Sequence, residues 1–357
     1  MMWDGKAWRV GRRKPVDPAG PHLGDLSRGR RQIHGHAGPD FLEVGALGFW
    51  EEGLVQAHGK KRALGLALLF WFLGAQAAGF DLEMTDEAGR RVQLTGVPSR
   101  IVALAPSIAE CLFALGLDQE VVGVTEHTNF PPQAASRPKV GSYVHLQLEA
   151  IVALRPDLVL ATRDGNPREQ IRRLEELGLK VFVLDPRSLE GLFRTLLCLG
   201  ELLGRQQVAE AVVSQMRDRM EGIRRALDNR PRPRVLLQVG AQPLVVAGTD
   251  TLQDHLIGLA GGQNVAGSLG KGYPMLGLER VMTLAPEIII ISSMADPRGA
   301  EQERNRWKRW KEIPAVKSGR IYVLDGDLID RPSPRVVEGL EEMARIIHPE
   351  FPGQAAR

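Results

Sequence analysis

The chain has 357 residues, enough for two domains, and 43% of them are hydrophobic, as in an ordinary globular protein. The formal net charge of +3 is unevenly spread, because residues 78–357 carry 35 Lys and Arg against 36 Asp and Glu. Such a near-neutral body lacks the basic footprint of nucleic-acid-binding proteins, which excludes nucleic acid as the main partner.

An export signal is predicted at residues 60–77. Three basic residues at 60–62 precede twelve apolar residues at 63–74, and Ala-Gln-Ala at 75–77 is a cleavage pattern. Twelve helical residues are too short to cross a hydrocarbon core of about 30 Å. We therefore expect a cleaved signal peptide and a periplasmic or extracytoplasmic protein, with residues 1–59 as an over-extended start or a disordered leader.

Residues 78–204 alternate between short apolar runs and helical patterns, which predicts an N-terminal α/β lobe with a mainly parallel sheet. A hairpin is expected within 80–98. Ser107 and Glu110 have the spacing of a capping box at the start of the first helix. The further predicted strands are 121–124, 158–161 and 181–184, and the helices are 107–115, 148–154, 169–177 and 189–203.

Residues 205–229 predict one long interlobe helix, since their apolar positions follow a period close to 3.6 and about 24 residues would extend about 36 Å. A second α/β lobe is expected over 230–348, with a tail at 349–357. The predicted fold class is therefore α/β, with two Rossmann-like lobes joined by a single long backbone helix.

An internal repeat supports two homologous lobes. Residues 146–162 (LQLEAIVALRPDLVLAT) and 276–292 (LGLERVMTLAPEIIIIS) share Leu, Leu, Glu, Leu, Pro, an acid and an aliphatic run at an offset of 130. Each copy predicts a short helix, a proline stop and a buried strand, one in each half of the chain.

These features together resemble the helical-backbone substrate-binding proteins of ABC importers, and among them the cobalamin-binding family. The resemblance covers about residues 95–348. The segments that carry it, besides Gly165-Asn166, are RIVALAPSIAECLFALGL (100–117), VVGVTEHTNFPPQA (121–134), LEAIVALRPDLVLA (148–161), LEELGLKVFVLD (174–185), RVLLQVG (234–240), LAGGQNV (259–265), LERVMTLAPEIIII (278–291) and RPSPR (331–335).

The resemblance implies a ligand cleft between the lobes, lined by loops that follow the strands. Its expected ligand-binding residues are His127, Phe130, Tyr143, Asp327 and Arg331. Aromatic rings would contact an apolar ring face, and the acid and guanidinium would bind a polar rim through charge-assisted hydrogen bonds. The implied ligand is cobalamin or a related corrinoid, with no resident cofactor and no metal bound by the protein.

The chain departs from the cobalamin-binding pattern at several rim positions. Thr162, Leu328 and Ile329 stand where that family has aromatic residues, and His127 matches a family tyrosine. An imidazole can hydrogen-bond at the rim or ligate the metal of a bound macrocycle, and both readings of His127 stay open. Haem or an iron siderophore is the alternative ligand within the same class.

The repeated acids Glu149 and Glu279 have two interpretations. Each lies near the start of a short helix, where a negative charge is favoured by roughly 0.3–1 kcal/mol. By resemblance, each would instead dock onto one subunit of an ABC permease, which works with its ATPase. We expect a monomeric binding protein with these two permease-docking residues.

An exported α/β hydrolase is the alternative from another class. The sequence contains no G-x-S-x-G elbow, P-loop, G-x-G-x-x-G or H-E-x-x-H pattern, and His127 is the base expected at the cleft without an evident nucleophile. The chain is accordingly not predicted to be an enzyme. Cys111 and Cys198 lie in apolar helical runs and are expected to be free thiols.

Overall fold

A computed structural model describes residues 82–293 and 297–351. The predicted leader, the predicted signal peptide and the end of the tail lie outside this part of the chain. Among the described helices, none combines the length and apolarity that a membrane crossing requires.

The first half of the described chain forms a hairpin and a four-stranded parallel sheet with the order β4-β3-β5-β6. Its strands are β1 Leu82–Thr85, β2 Arg91–Leu94, β3 Ile101–Ala103, β4 Val121–Val124, β5 Leu158–Thr162 and β6 Val181–Leu184. Its helices are α1 Pro106–Ala114, α2 Pro132–Ala135, α3 Leu148–Ala153, α4 Arg168–Glu176 and α5 Leu189–Leu202.

The second half forms a sheet with the order β11-β10-β7-β8, in which β9 also pairs with β7. Pairing is parallel except between β7 and β8, an antiparallel edge that the sequence did not predict. The strands are β7 Arg234–Gly240, β8 Val245–Val246, β9 Gln263–Asn264, β10 Ile288–Ser292 and β11 Ile321–Leu324. The helices after the interlobe helix are α7 Leu252–Leu259, α8 Leu278–Leu284, α9 Pro297–Trp307, α10 Pro314–Lys317, α11 Gly326–Ile329 and α12 Val336–Ile347.

The long helix α6, Gln206–Ala226, lies between these halves, which we call the first and second lobes. It packs against α5 of the first lobe and against α7 and α12 of the second. One face is apolar and buried, formed by Ala209, Val213, Met216, Met220 and Ile223. The predicted class, two α/β lobes with parallel sheets and a long helix, is confirmed.

The sequence repeat has the same local structure in both lobes. In each lobe an arginine at the start of a central strand donates to the last carbonyl of the short helix, and an acid accepts from that arginine's own N–H. The contacts are Arg100 to Leu154 O (2.6 Å) and Arg234 to Leu284 O (2.5 Å), and Arg100 N to Asp157 (2.9 Å) and Arg234 N to Glu287 (2.8 Å). Leu154 and Leu284, and likewise Asp157 and Glu287, lie at the offset of 130 and occupy equivalent places, whereas the two arginines are 134 residues apart.

The predicted capping box at the first helix is wrong. Helix α1 begins at Pro106, so Ala105, whose methyl side chain offers no capping oxygen, occupies the N-cap. Ser107 consequently lies inside the first turn, two residues after the N-cap position. Glu110, assigned to the box from its spacing, instead points toward the second lobe.

Glu110 forms the centre of an interlobe cluster with Arg331, Ser333 and Arg335. Its carboxylate is buried and accepts hydrogen bonds from Arg331 Nη1 at 3.0 Å and Ser333 Oγ at 2.5 Å, with Arg335 Nη1 at 3.7 Å. Burial raises the pKa of Glu110, and the hydrogen bonds from Ser333 and Arg331 and the charges of the two arginines oppose that rise. Glu110, a single side chain of the first lobe, thus contacts three side chains of the second lobe.

Replacement of Glu110 by Ala should lower the free energy of unfolding by about 3–5 kcal/mol, because truncating a buried pair leaves the opposite charge buried and uncompensated. Urea denaturation followed by circular dichroism would measure this. The matched control is Glu190→Ala, which removes an exposed interhelical pair with Arg217 (3.6 Å) and should cost less than about 1 kcal/mol. Equal losses in the two variants would contradict the role given to the cluster.

Candidate ligand cleft

A cavity of about 640 Å³ lies at the carboxyl ends of β4, β10 and β11, where the two lobes face each other. In doubly wound sheets this edge is the usual place for a ligand. Three of the residues proposed from the sequence line it, namely His127, Asp327 and Arg331. The complete lining consists of Glu126, His127, Asn129, Ser293, Val323, Asp325, Asp327 and Arg331.

A network of hydrogen bonds crosses this cleft. Arg331 pairs with Asp327 at 2.6 Å and donates to Asn129 Oδ1 at 2.7 Å, while Asn129 Nδ2 donates to Asp327 Oδ2 at 2.6 Å. Since Arg331 also binds Glu110, its guanidinium is held from both lobes. The cleft therefore has a fixed polar edge, and Asn129 belongs to it although sequence reasoning missed it.

His127 lies on the rim with an exposed side chain, and its backbone carbonyl accepts from Arg331 Nη2 at 3.2 Å. Within residues 82–293 and 297–351, no group of three or more His, Cys, Asp and Glu has the arrangement of a metal site. The imidazole can therefore contact a bound molecule from the rim.

Tyr143, also proposed from the sequence, is held by contacts within the first lobe and is not among the residues that line the cavity. Its hydroxyl donates to Asp164 O and accepts from Thr162 Oγ1 at 3.3 Å. Its ring lies so close to Gly165 that a Cβ there would come within 2.0 Å of ring atoms, which explains the glycine. Asn166 is buried and donates to Tyr143 O at 2.8 Å. Burial raises the pKa of Tyr143.

Tyr273 is the second-lobe counterpart of Tyr143, and sequence reasoning missed it. The two residues are 130 apart, so extending the repeat by three residues would have found it. Tyr273 is 52% exposed, and its hydroxyl donates to Gln253, which in turn donates to the half-buried Asp330 at 2.8 Å.

Burial and nearby acids act on the second tyrosine. Partial burial of its hydroxyl raises the pKa of Tyr273, and the charges of Asp330 and, from the first lobe, Asp164 act in the same direction. Burial also raises the pKa of Asp330, which accepts a hydrogen bond from Ser292. Each lobe thus contains one tyrosine whose hydroxyl is held by a hydrogen bond within that lobe.

Phe130 lies in an adjoining groove rather than with His127 in the cleft. Its ring is 40% exposed and the Arg335 guanidinium lies 4.1 Å from its centroid. This groove has a volume of about 400 Å³ and also includes Glu110, Phe113 and Asp118. Phe130 therefore shares its groove with Glu110 and Arg335 of the interlobe cluster and is not among the residues that line the main cleft.

The expectation that Leu328 and Ile329 occupy rim positions is wrong. They lie in the short helix α11, and their side chains are 5% and 0% exposed because they pack into the main core. Their neighbour Asp327 faces the cleft instead, with Asp325 capping the helix.

Glu149 and Glu279 lie in the first turns of α3 and α8, and both are exposed. Neither carboxylate has an ion-pair partner within 4.0 Å among the residues that the structure describes. Both charges are therefore available to a partner.

The two tryptophans near the end of α9 differ in burial. Trp307 is buried and its indole N–H donates to Gln238 Oε1 at 2.7 Å, whereas Trp310 follows the end of α9 and is 37% exposed. Cys111 and Cys198 are free thiols.

Comparisons with known proteins agree with this architecture. The vitamin B12-binding protein of Vibrio campbellii is 27% identical over 249 residues, covering 70% of this chain and 89% of that protein. The crystal structure of the periplasmic vitamin B12 binding protein BtuF of Vibrio cholerae superposes with a TM-score of 0.62 at 25% identity, covering 70% of this chain and 97% of that one.

A haem carrier is also similar. A periplasmic haem binding protein from Pseudomonas aeruginosa has a TM-score of 0.64 and 30% identity, covering 72% of this chain and 96% of that chain. Residues 101–328, which contain both sheets' central strands and most of the cleft, match the periplasmic binding protein family. The chain therefore belongs to the periplasmic binding protein family, the substrate-binding components of transport systems.

Proposed function

We propose that this protein captures cobalamin or a related corrinoid in the cleft between its lobes and delivers it to the permease of an ABC importer. The observation that carries the proposal is the cavity at the strand ends with its fixed polar edge of Asn129, Asp327 and Arg331. To this edge we add the two tyrosines at equivalent positions of the repeat, Tyr143 and Tyr273. Relatives named for vitamin B12 binding supply the ligand class.

The cleft chemistry suits a large ring with amide side chains. Two phenol rings offer flat apolar area at a low entropy cost. Asp327 and Arg331, already oriented by Asn129, can exchange their mutual pair for charge-assisted bonds to ligand amides. A ring held between the lobes would meet a tyrosine on either side and polar groups at its edge.

Haem is the second candidate, favoured by the 30% identity to the Pseudomonas haem binding protein. A tyrosine can ligate haem iron as a phenolate. Here both hydroxyls already have protein partners, and burial raises the pKa of both phenols, which disfavours the phenolate. The hydrogen bonds support ring contact over iron ligation by these tyrosines, and the relatives named for vitamin B12 binding favour a corrinoid over haem.

The role in transport is non-catalytic. Among the lining residues, His127 carries the imidazole and Ser293 the hydroxyl that a hydrolase would need. The Ser293 hydroxyl oxygen accepts a hydrogen bond from Gly326 N at 3.0 Å, which is typical of a structural serine rather than a nucleophile. A monomer exported by a cleaved signal peptide, bound in turn by a permease and its ATPase, completes the proposal. Glu149 and Glu279 are its docking residues, one on each lobe.

Calorimetric titration of the purified protein with cyanocobalamin, cobinamide and haemin tests the ligand. We expect the corrinoids to bind and haemin to bind more weakly. Tyr143→Ala and Tyr273→Ala should each weaken cyanocobalamin binding about tenfold, since an aromatic contact contributes roughly 0.5–1.5 kcal/mol beyond its buried area. Trp310→Ala, an exposed aromatic outside the cleft, is the control. Tight haemin binding without corrinoid binding would overturn the assignment.

Docking is tested by Glu149→Gln with Glu279→Gln. The double variant should keep its cyanocobalamin affinity and lose affinity for a permease–ATPase complex that the unaltered chain binds. Each single variant should lose about half of that free energy, because distant sites are nearly additive. The loss should shrink in high salt, where partly exposed charges are screened beyond about 10 Å at 0.1 M.

The matched control for docking is Glu176→Gln with Glu301→Gln, which removes one exposed acid from each lobe away from α3 and α8. Biolayer interferometry on the complex in nanodiscs would measure all the variants. A control pair that weakens permease binding as much as the Glu149 and Glu279 pair would refute specific docking.

A further inference from the structure

One helical turn beyond each docking acid, the chain exposes a large apolar side chain. Val152 follows Glu149 on α3, and Met282 follows Glu279 on α8. Their exposed fractions, 38% and 37%, are nearly equal. Residues three apart on a helix are neighbours on its surface, so each acid lies beside an apolar side chain.

The two helices are buried in the same way. Between each acid and its apolar neighbour lies a residue anchored in the lobe, Ile151 in α3 and Val281 in α8, both 0% exposed. Because these anchors fix the rotation of each helix about its axis, the acid and the apolar residue both face outward in both lobes.

Single exposed apolar residues are ordinary on protein surfaces and carry no meaning by themselves. What distinguishes Val152 and Met282 is their separation of 130, the offset of the repeat. Among the exposed large hydrophobic residues within 82–293 and 297–351, they are the pair with that separation. Two equivalent apolar positions beside two unpaired acids fit a partner that itself has two equivalent subunits.

We propose that Glu149 with Val152, and Glu279 with Met282, form two docking patches, each received by an apolar recess flanked by a basic side chain on one of two identical permease subunits. This rests on the docking part of the proposed function and adds a second, uncharged component to it. The acids orient the encounter through long-range attraction, and the apolar contacts hold the complex at any ionic strength.

The test replaces the apolar residues by polar residues of similar shape, Val152→Thr with Met282→Gln. Binding to the nanodisc-embedded permease–ATPase complex that the unaltered chain binds is measured at 0.05 and 0.5 M salt. We expect about tenfold weaker binding at both concentrations and an unchanged affinity for cyanocobalamin. In contrast, the loss caused by Glu149→Gln with Glu279→Gln should fall several-fold in the higher salt.

The matched control is Leu197→Gln with Val208→Thr, which removes similarly exposed apolar side chains, 36% and 41%, from α5 and α6. It should leave permease binding unchanged. If only the acid variants weaken permease binding, the inference about the apolar residues is wrong but the docking proposal stands. If no variant weakens permease binding, both are wrong. A dimer of the unaltered chain that Val152→Thr with Met282→Gln dissociates in sedimentation would assign the patches to self-association and overturn the inference.

Discussion

The buried carboxylate of Glu110 is the interaction on which the rest of the arrangement depends. An ionised carboxylate is stable inside a protein when opposite charges and hydrogen bonds surround it. Its partners, Arg331, Ser333 and Arg335, all come from one short segment of the other lobe. The same Arg331 forms the polar edge of the cleft with Asn129 and Asp327. The contact that joins the lobes therefore also orients the guanidinium at the edge of the cleft.

The internal duplication organises the remaining chemistry. The offset of 130 relates Tyr143 to Tyr273 and Glu149 to Glu279. In the proposed function the tyrosines contact the ligand, and the exposed acids contact the permease. Because different residues of the same unit are assigned to the two tasks, we expect that a change in one can leave the other intact.

The lobes nevertheless differ where orientation of an asymmetric ligand would require it. Tyr143 is fixed by a backbone carbonyl and a ring contact with Gly165, whereas Tyr273 is fixed through Gln253 by the half-buried Asp330. His127 and Asn129 extend the rim from the first lobe, and Asp327 and Arg331 extend it from the second. A duplicated frame with different polar groups can hold a ring in one orientation, because its two edges would meet different partners.

The sequence by itself determined the alternation of strands and helices, the long helix α6, the two lobes and the equivalence of Glu149 with Glu279. Those features depend on local periodicity or on an offset that can be counted along the chain. Only the tertiary structure decided that Glu110 binds the second lobe rather than its own helix, that Leu328 and Ile329 are core residues, and that Phe130 lies outside the main cleft. These outcomes depend on contacts between residues about 200 positions apart, and on which side of a short helix faces the core, neither of which leaves a pattern in neighbouring residues.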